Sequence, residues 1–212
     1  MYNRTLRLVR VVLGMASLIV CFADKHCGGG RSAKAAPSPN IPATRGAIDV
    51  LCDGLVPLTK QSGGRIFGET SGAGTSWREY ADAKELQSVL GESEILQKAR
   101  VWRRKDGVTA VQMVEDPMSG DWSQAVDYCF RSDGSLARLE SKLVTFDTAD
   151  EIDEGVERLR VRYFAPNGRE LSHREDVKNS KSRLPAKRVF ADKTETAYRT
   201  VRDLPFAALL TK

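Results

Sequence analysis

Histidine is almost missing from this chain: among 212 residues there are two, His26 and His173. That scarcity removes the commonest general base and the commonest zinc ligand. Neither histidine has cysteines at zinc spacing, and no serine stands in a nucleophile elbow. The nearest approach, Gly68-Glu69-Thr70-Ser71-Gly72, puts Thr70 at the centre. The glycine-rich run from Gly63 to Gly74 is followed by Thr75 and Ser76, without the lysine that a phosphate loop requires. The acidic run Asp147, Asp150, Glu151, Asp153, Glu154 lacks the alternating ligands and central glycine of an EF-hand loop. The expectation is therefore no cofactor, no metal and no assembled catalytic set. His173 reads as a half-buried residue on a strand face with Leu171 and Val177.

Long apolar runs are lacking too. A helix needs roughly 20 apolar residues to cross a bilayer, and the run Val11–Ala23 has thirteen uncharged residues. It follows Arg4, Arg7 and Arg10, with no acid before them, and it ends on the small residue Ala23. Positive start, short apolar core and small exit residue are the pattern of a cleaved export signal. Residues 1–23 are thus expected to be a signal peptide, leaving no stable membrane span after cleavage. Attachment of lipid at Cys21 is the lesser reading, because Val20 before it is bulky and β-branched.

The signal changes how the charge is read. The whole chain is +5, but residues 1–23 carry three arginines and no acid, so the remainder is +2. Such a small excess does not call for a polyanionic partner. The one basic run, Lys178, Lys181, Arg183, Lys187, Arg188, has no interleaved aromatics to stack bases, which disfavours nucleic acid. It remains a candidate for docking on anionic lipid or glycan.

Cysteine is sparse, with four in all. Cys21 falls in the signal and Cys27 in a segment with no large neighbours. Cys52 and Cys129 lie in segments that read as ordered, so they are the candidate disulfide of an oxidising compartment.

Residues 24–45 are rich in Gly, Ala, Ser and Pro and read as a flexible linker. Residues 46–212 are long enough for a single domain with a real core. Ile48, Val50, Leu51 and Leu55 suggest a short helix ending near Gly54. Ser76 and Glu79 have capping-box spacing, and Trp77, Tyr80, Ala83, Leu86, Val89 and Leu90 fall on one stripe, which predicts a helix to Gly91. Beyond it the apolar period becomes two, as in Val126, Tyr128, Phe130 and Leu159, Val161, Tyr163. Asp106-Gly107, Asp133-Gly134 and Asn167-Gly168 stand between such runs, the strongest short-range signal for a hairpin. Their glycines are 27 and 34 residues apart, which excludes a fixed-period repeat. A short strand is expected at Ala197–Val201, then an apolar closing segment over Leu204–Leu210.

The fold class that follows is α+β: a curved antiparallel β-meander built from Asx-Gly hairpins and packed against one or two helices. Function is expected to be that of an exported bacterial envelope protein, periplasmic or secreted, leaning away from enzymes. It would be a binding or accessory module for an apolar small molecule, lipid or envelope protein partner. Trp77, Trp102 and Trp122 are the candidate cavity aromatics. Two alternatives stand beside it, a hydrolase with a dispersed Asp/Glu pair and a basic surface-docking protein.

Overall fold

The computed structural model describes residues 41–60, 63–71, 76–89, 95–117, 119–146, 155–186 and 193–211. The expected signal peptide, most of the linker, His26, Cys27, the acidic run 147–154, Lys187 and Arg188 lie outside them.

The body is an eight-stranded sheet in the order β2-β1-β3-β4-β5-β6-β7-β8. The strands are β1 (Arg65–Thr70), β2 (Ser76–Tyr80), β3 (Ile95–Arg103), β4 (Thr109–Glu115), β5 (Trp122–Phe130), β6 (Leu136–Thr145), β7 (Val156–Phe164) and β8 (Glu170–Asn179). Every neighbouring pair is antiparallel. The connections β3–β4, β5–β6 and β7–β8 are tight, and their glycines 107, 134 and 168 have φ of +89°, +84° and +79°. An L side chain rarely adopts that conformation. In each turn the preceding Asx oxygen accepts from a backbone N–H two residues on: Asp106 from Val108, Asp133 from Ser135, Asn167 from Arg169.

The register sorts the side chains onto two faces. On one, Phe67, Val101, Val111, Met113, Val126, Tyr128, Phe130 and Leu139 form a buried cluster with Leu204 and Phe206 of the C-terminal segment. We call it the strap face, because residues 193–200 run across it without regular secondary structure. A 3-10 turn at Val201–Asp203 and the short helix α4 (Ala207–Leu210) follow. Phe206 stacks on Phe67 with ring centroids 4.8 Å apart, and burying such a ring contributes about 1.5–3 kcal/mol. On the opposite, helix face, Trp102, Ala110, Cys129, Ala137, Val161 and Tyr163 pack under Ile48, Cys52 and Leu55. Those three belong to α1 (Arg45–Asp53) and the residues just before α2 (Val56–Thr59).

Helix α1 begins where Thr44, in extended conformation, accepts a hydrogen bond from the Ala47 N–H. Its C-cap is Gly54, as the spacing of apolar residues suggests, with an ordinary right-handed φ of −63°. Two anchors hold it to the sheet besides its apolar stripe. Cys52 is disulfide-bonded to Cys129 of β5, with Cα atoms 5.8 Å apart, and Arg138 of β6 donates to Asp49 and Asp53 at 3.0 and 2.8 Å.

Arg131 is 1 % exposed. It donates to the carbonyls of Pro42, Leu136 and Phe164 at 2.8, 2.5 and 2.5 Å. One guanidinium thus ties together two inter-strand connections and the entry to α1, so residues of the expected linker are fastened to the sheet.

Two expectations need correction. Residues 76–80 are strand β2, not the start of a helix; α3 covers Ala83–Val89. The cap is Asp82, whose Oδ1 accepts from the N–H groups of Lys84 and Glu85, both at 2.8 Å. Asp82 and Glu85 have the same i, i+3 spacing as Ser76 and Glu79, so local chemistry alone offered two starts. The choice is made by β1, which takes Ser76–Tyr80 as its ladder partner, and by Trp77, which packs on Phe206. Residues 197–201 form no strand; one isolated bridge joins Thr200 to Ser135.

Candidate functional site

Two clefts open on opposite faces of the sheet. The larger, about 180 Å³, lies on the helix face beside α2. Its apolar wall is Leu55, Val56, Ala110 and the Cys52–Cys129 bridge; its polar wall is Gln112, Asp127, Arg138 and Glu140. Register creates the polar wall. Asp127 stands directly opposite Glu140 across the β5–β6 ladder, and Gln112 of β4 is the other neighbour of Asp127. Like charges placed opposite each other repel. Although Asp127 keeps contact with solvent, the cleft desolvates its carboxyl and pushes it above the usual carboxylate range. The charge of Glu140 adds to that rise, and the hydrogen bond from Gln112 Nε2, 3.0 Å from Asp127 Oδ1, opposes it together with the charge of Arg138. Arg138 is committed to Asp49 and Asp53, and among the described residues no cation closes an ion pair with Asp127 or Glu140. The cleft thus sets acceptor oxygens beside an apolar wall.

The smaller cleft, about 70 Å³, lies under the strap between Met113, Val126, Tyr128, Thr194, Glu195 and Tyr198, among others. Burial pushes the Tyr128 hydroxyl well above its ordinary range, with the charges of Tyr198 and Glu195 acting in the same direction. That hydroxyl donates to the Thr196 carbonyl at 3.0 Å.

The three tryptophans take separate places. Trp77 packs on Phe206 on the strap face. Trp102 is buried in the helix-face cluster, with Gly64 against it and no hydrogen-bond partner for its Nε1 among the described residues. Trp122 lies under the Lys193 ammonium, 4.1 Å from the ring centroid. None of them lines either cleft.

Lys178 and Arg183 of the basic run gather, with Lys142 of β6, around a buried carboxylate. Glu157 receives Lys142 at 2.9 Å, Arg183 at 3.2 Å and Lys178 at 3.6 Å. Burial alone would raise Glu157, but the Lys142 hydrogen bond and the three cations outweigh it and hold the carboxyl below the usual range. Lys178 also faces Asp176 at 3.5 Å, and Lys181 lies in the turn after β8. Lys178 and Arg183 are therefore committed within the molecule. His173 is exposed rather than half-buried, with Nδ1 3.2 Å from Glu170 Oε1.

Two features carried no readable sequence signal. The Asp127–Glu140 pairing is a product of register. In β7, Arg158, Arg160 and Arg162 alternate with Leu159, Val161 and Tyr163, and nothing in that alternation tells that residues 193–198 cover their face. Among the described residues no group of three or more His, Cys, Asp or Glu is placed to hold a metal ion, and no helix is long and apolar enough to cross a membrane. Comparison with protein-family models, with curated proteins and with solved structures finds no match.

Proposed function

We propose that the protein is an exported binding or accessory module of a bacterial envelope, carried on a curved meander of Asx-Gly hairpins. Its ligand or partner, with an apolar portion, enters the cleft beside α2. The observation that carries this reading is that cleft: one wall apolar, the other with cross-strand carboxylates that close no ion pair among the described residues, set against a covalent brace. The Cys52–Cys129 bridge supports export as well, since such bonds persist in oxidising compartments and are rare in the cytosol. So does the arginine-led thirteen-residue apolar run at the start of the chain.

The test uses variants that occupy the cleft from its rim. Val56 is 41 % exposed and Thr59 ends α2, so Val56→Trp and Thr59→Trp leave the core intact. Envelope lipid and small-molecule fractions from the host are expected to raise the melting temperature of the native chain by several degrees. Neither tryptophan variant should respond. Equal responses would refute binding at this cleft.

The Asp127–Glu140 pair favours a second reading, a hydrolase working through two carboxyls. Glycosidic chemistry needs two carboxyls facing each other, and Asp127 stands opposite Glu140 across the β5–β6 ladder. Turnover of chromogenic glycosides that disappears in both Asp127→Asn and Glu140→Gln would replace the binding reading with this one. No turnover in the native chain would remove it.

A further inference from the structure

The cleft beside α2 has acceptors on its polar wall that the chain does not meet with donors. Gln112 Nε2 donates to Asp127 Oδ1, Arg138 Nη1 donates to Asp49 and Asp53, and the Thr59 hydroxyl donates to the Val56 carbonyl. Among the described residues no hydrogen bond reaches Asp127 Oδ2 or either carboxyl oxygen of Glu140. These two side chains stand directly opposite each other across the β5–β6 ladder, which sets their Cβ atoms about 5 Å apart. One small donor group can therefore reach both.

Charge points the same way. Around α1 and the cleft, Arg45 and Arg138 stand against Asp49, Asp53, Asp127 and Glu140, two cations against four acids, which leaves two negative charges. The other cations of this face are further off or taken. Lys142 is held by Glu157. In the same cross-strand row Arg100 lies beyond Gln112 and Arg174 beyond Val161. Each is thus two strands from the nearer carboxylate, about 10 Å across the sheet, where exposed charges are largely screened.

The facing wall is apolar, formed by Leu55, Val56, Ala110 and the Cys52–Cys129 bridge, and the space measures about 180 Å³. A cavity of about 150 Å³ takes a benzene ring, so this one has room for about six carbons.

We propose that the ligand of this cleft is a primary amine with an apolar chain or ring of about six carbons, its ammonium held between Asp127 and Glu140. It rests on the function proposed for the cleft and names the class of ligand that enters it. An ammonium carries three donors and no acceptor, which is what the polar wall lacks. A carboxylate or phosphate would instead meet two like charges. Asp127, whose carboxyl the cleft pushes above the usual range, gains the countercharge that the described residues do not supply.

Hexylamine is the probe, with hexanol as the uncharged control and hexanoate as the anionic one, titrated calorimetrically into the full chain at neutral pH. Hydrogen bonds between charged groups are about twice as strong as neutral ones, so hexylamine should bind at least about tenfold tighter than hexanol. Hexanoate should not bind. Asp127→Asn and Glu140→Gln keep the side-chain shape and remove one charge each. Each should weaken hexylamine about tenfold and leave hexanol unchanged. Thr59→Trp, which fills the cleft from its rim, should abolish both. Equal affinity for hexylamine and hexanol, lost together in Thr59→Trp, would overturn the choice of a cation and leave the cleft a site for uncharged apolar ligands. Hexylamine binding that survives loss of both carboxylates, or survives Thr59→Trp, would overturn it as well. If hexylamine does not bind while the host fractions still stabilise the native chain and not Thr59→Trp, the amine falls alone. If neither acts on the native chain, the function proposed for the cleft falls with it.

Discussion

Removing the Cys52–Cys129 bridge perturbs the molecule at one defined place. The cross-link joins residues 77 apart in sequence. In the chain-entropy picture, closing a loop of that size in the unfolded ensemble is worth about 4 kcal/mol. For a domain of this size each kcal/mol moves the melting temperature by about 2–4 °C, so Cys52→Ser with Cys129→Ser should melt roughly 10 °C lower. The helix should stay docked, because Ile48 and Leu55 remain buried and Arg138 keeps Asp49 and Asp53. Circular dichroism melts of the native chain, the double variant and the native chain in reductant are the assay, with hydrogen exchange of α1 as the local readout. The reduced native chain should match the double variant. A fall of less than about 3 °C would refute the loop argument, and rapid exchange throughout α1 would refute the claim that packing and ion pairs hold the helix without the bond.

Arg131→Met should cost about 3–5 kcal/mol by chemical denaturation, because the carbonyls of Leu136 and Phe164 lose a buried charged donor; a cost under about 1 kcal/mol would contradict the role given to it. Glu157 has its carboxyl held low in the folded state, so its contribution is complete above the ordinary glutamate value near pH ~4.3 and is lost as pH falls through the lower folded value. Glu157→Gln should therefore be less stable at neutral pH and lose less stability on acidification, in melts taken across the acid range. Asp127 has the opposite sign: its raised carboxyl makes the fold relatively more stable at low pH and less so as pH rises. Asp127→Asn should raise the melting temperature at pH 7 by one or two degrees, consistent with about 0.5 kcal/mol for relief of a like-charge pair; a lower one would contradict the repulsion. Gly64→Ala should be destabilising by calorimetry, because φ is +121° and a Cβ there would stand 2.8 Å from Trp102 Nε1.

The antiparallel body was readable because period-two alternation in Val126, Tyr128, Phe130 and in Leu159, Val161, Tyr163 is a property of the chain itself. The short helix ending at Gly54 and the apolar closing segment were readable for the same reason. Residues 76–80 were not, since their capping-box spacing is repeated by Asp82 and Glu85 and the ladder with β1 decides between them. The candidate sites were hidden more deeply. Which residue faces Asp127, and whether the arginines of β7 meet water or a covering segment, depend on register and on a strap that arrives from 33 residues further along, as Glu195 does to Arg162. The tryptophans illustrate the same limit: their composition suggests a cavity, and the pleat sends Trp77 and Trp102 to opposite faces.

The intact mass of the protein taken from its own host under native conditions tests the central claim most directly. The account predicts a chain beginning at Asp24, oxidised at Cys52 and Cys129, and carrying a small-molecule adduct that Thr59→Trp removes. A chain that still begins at Met1, with reduced thiols and no adduct, would contradict it.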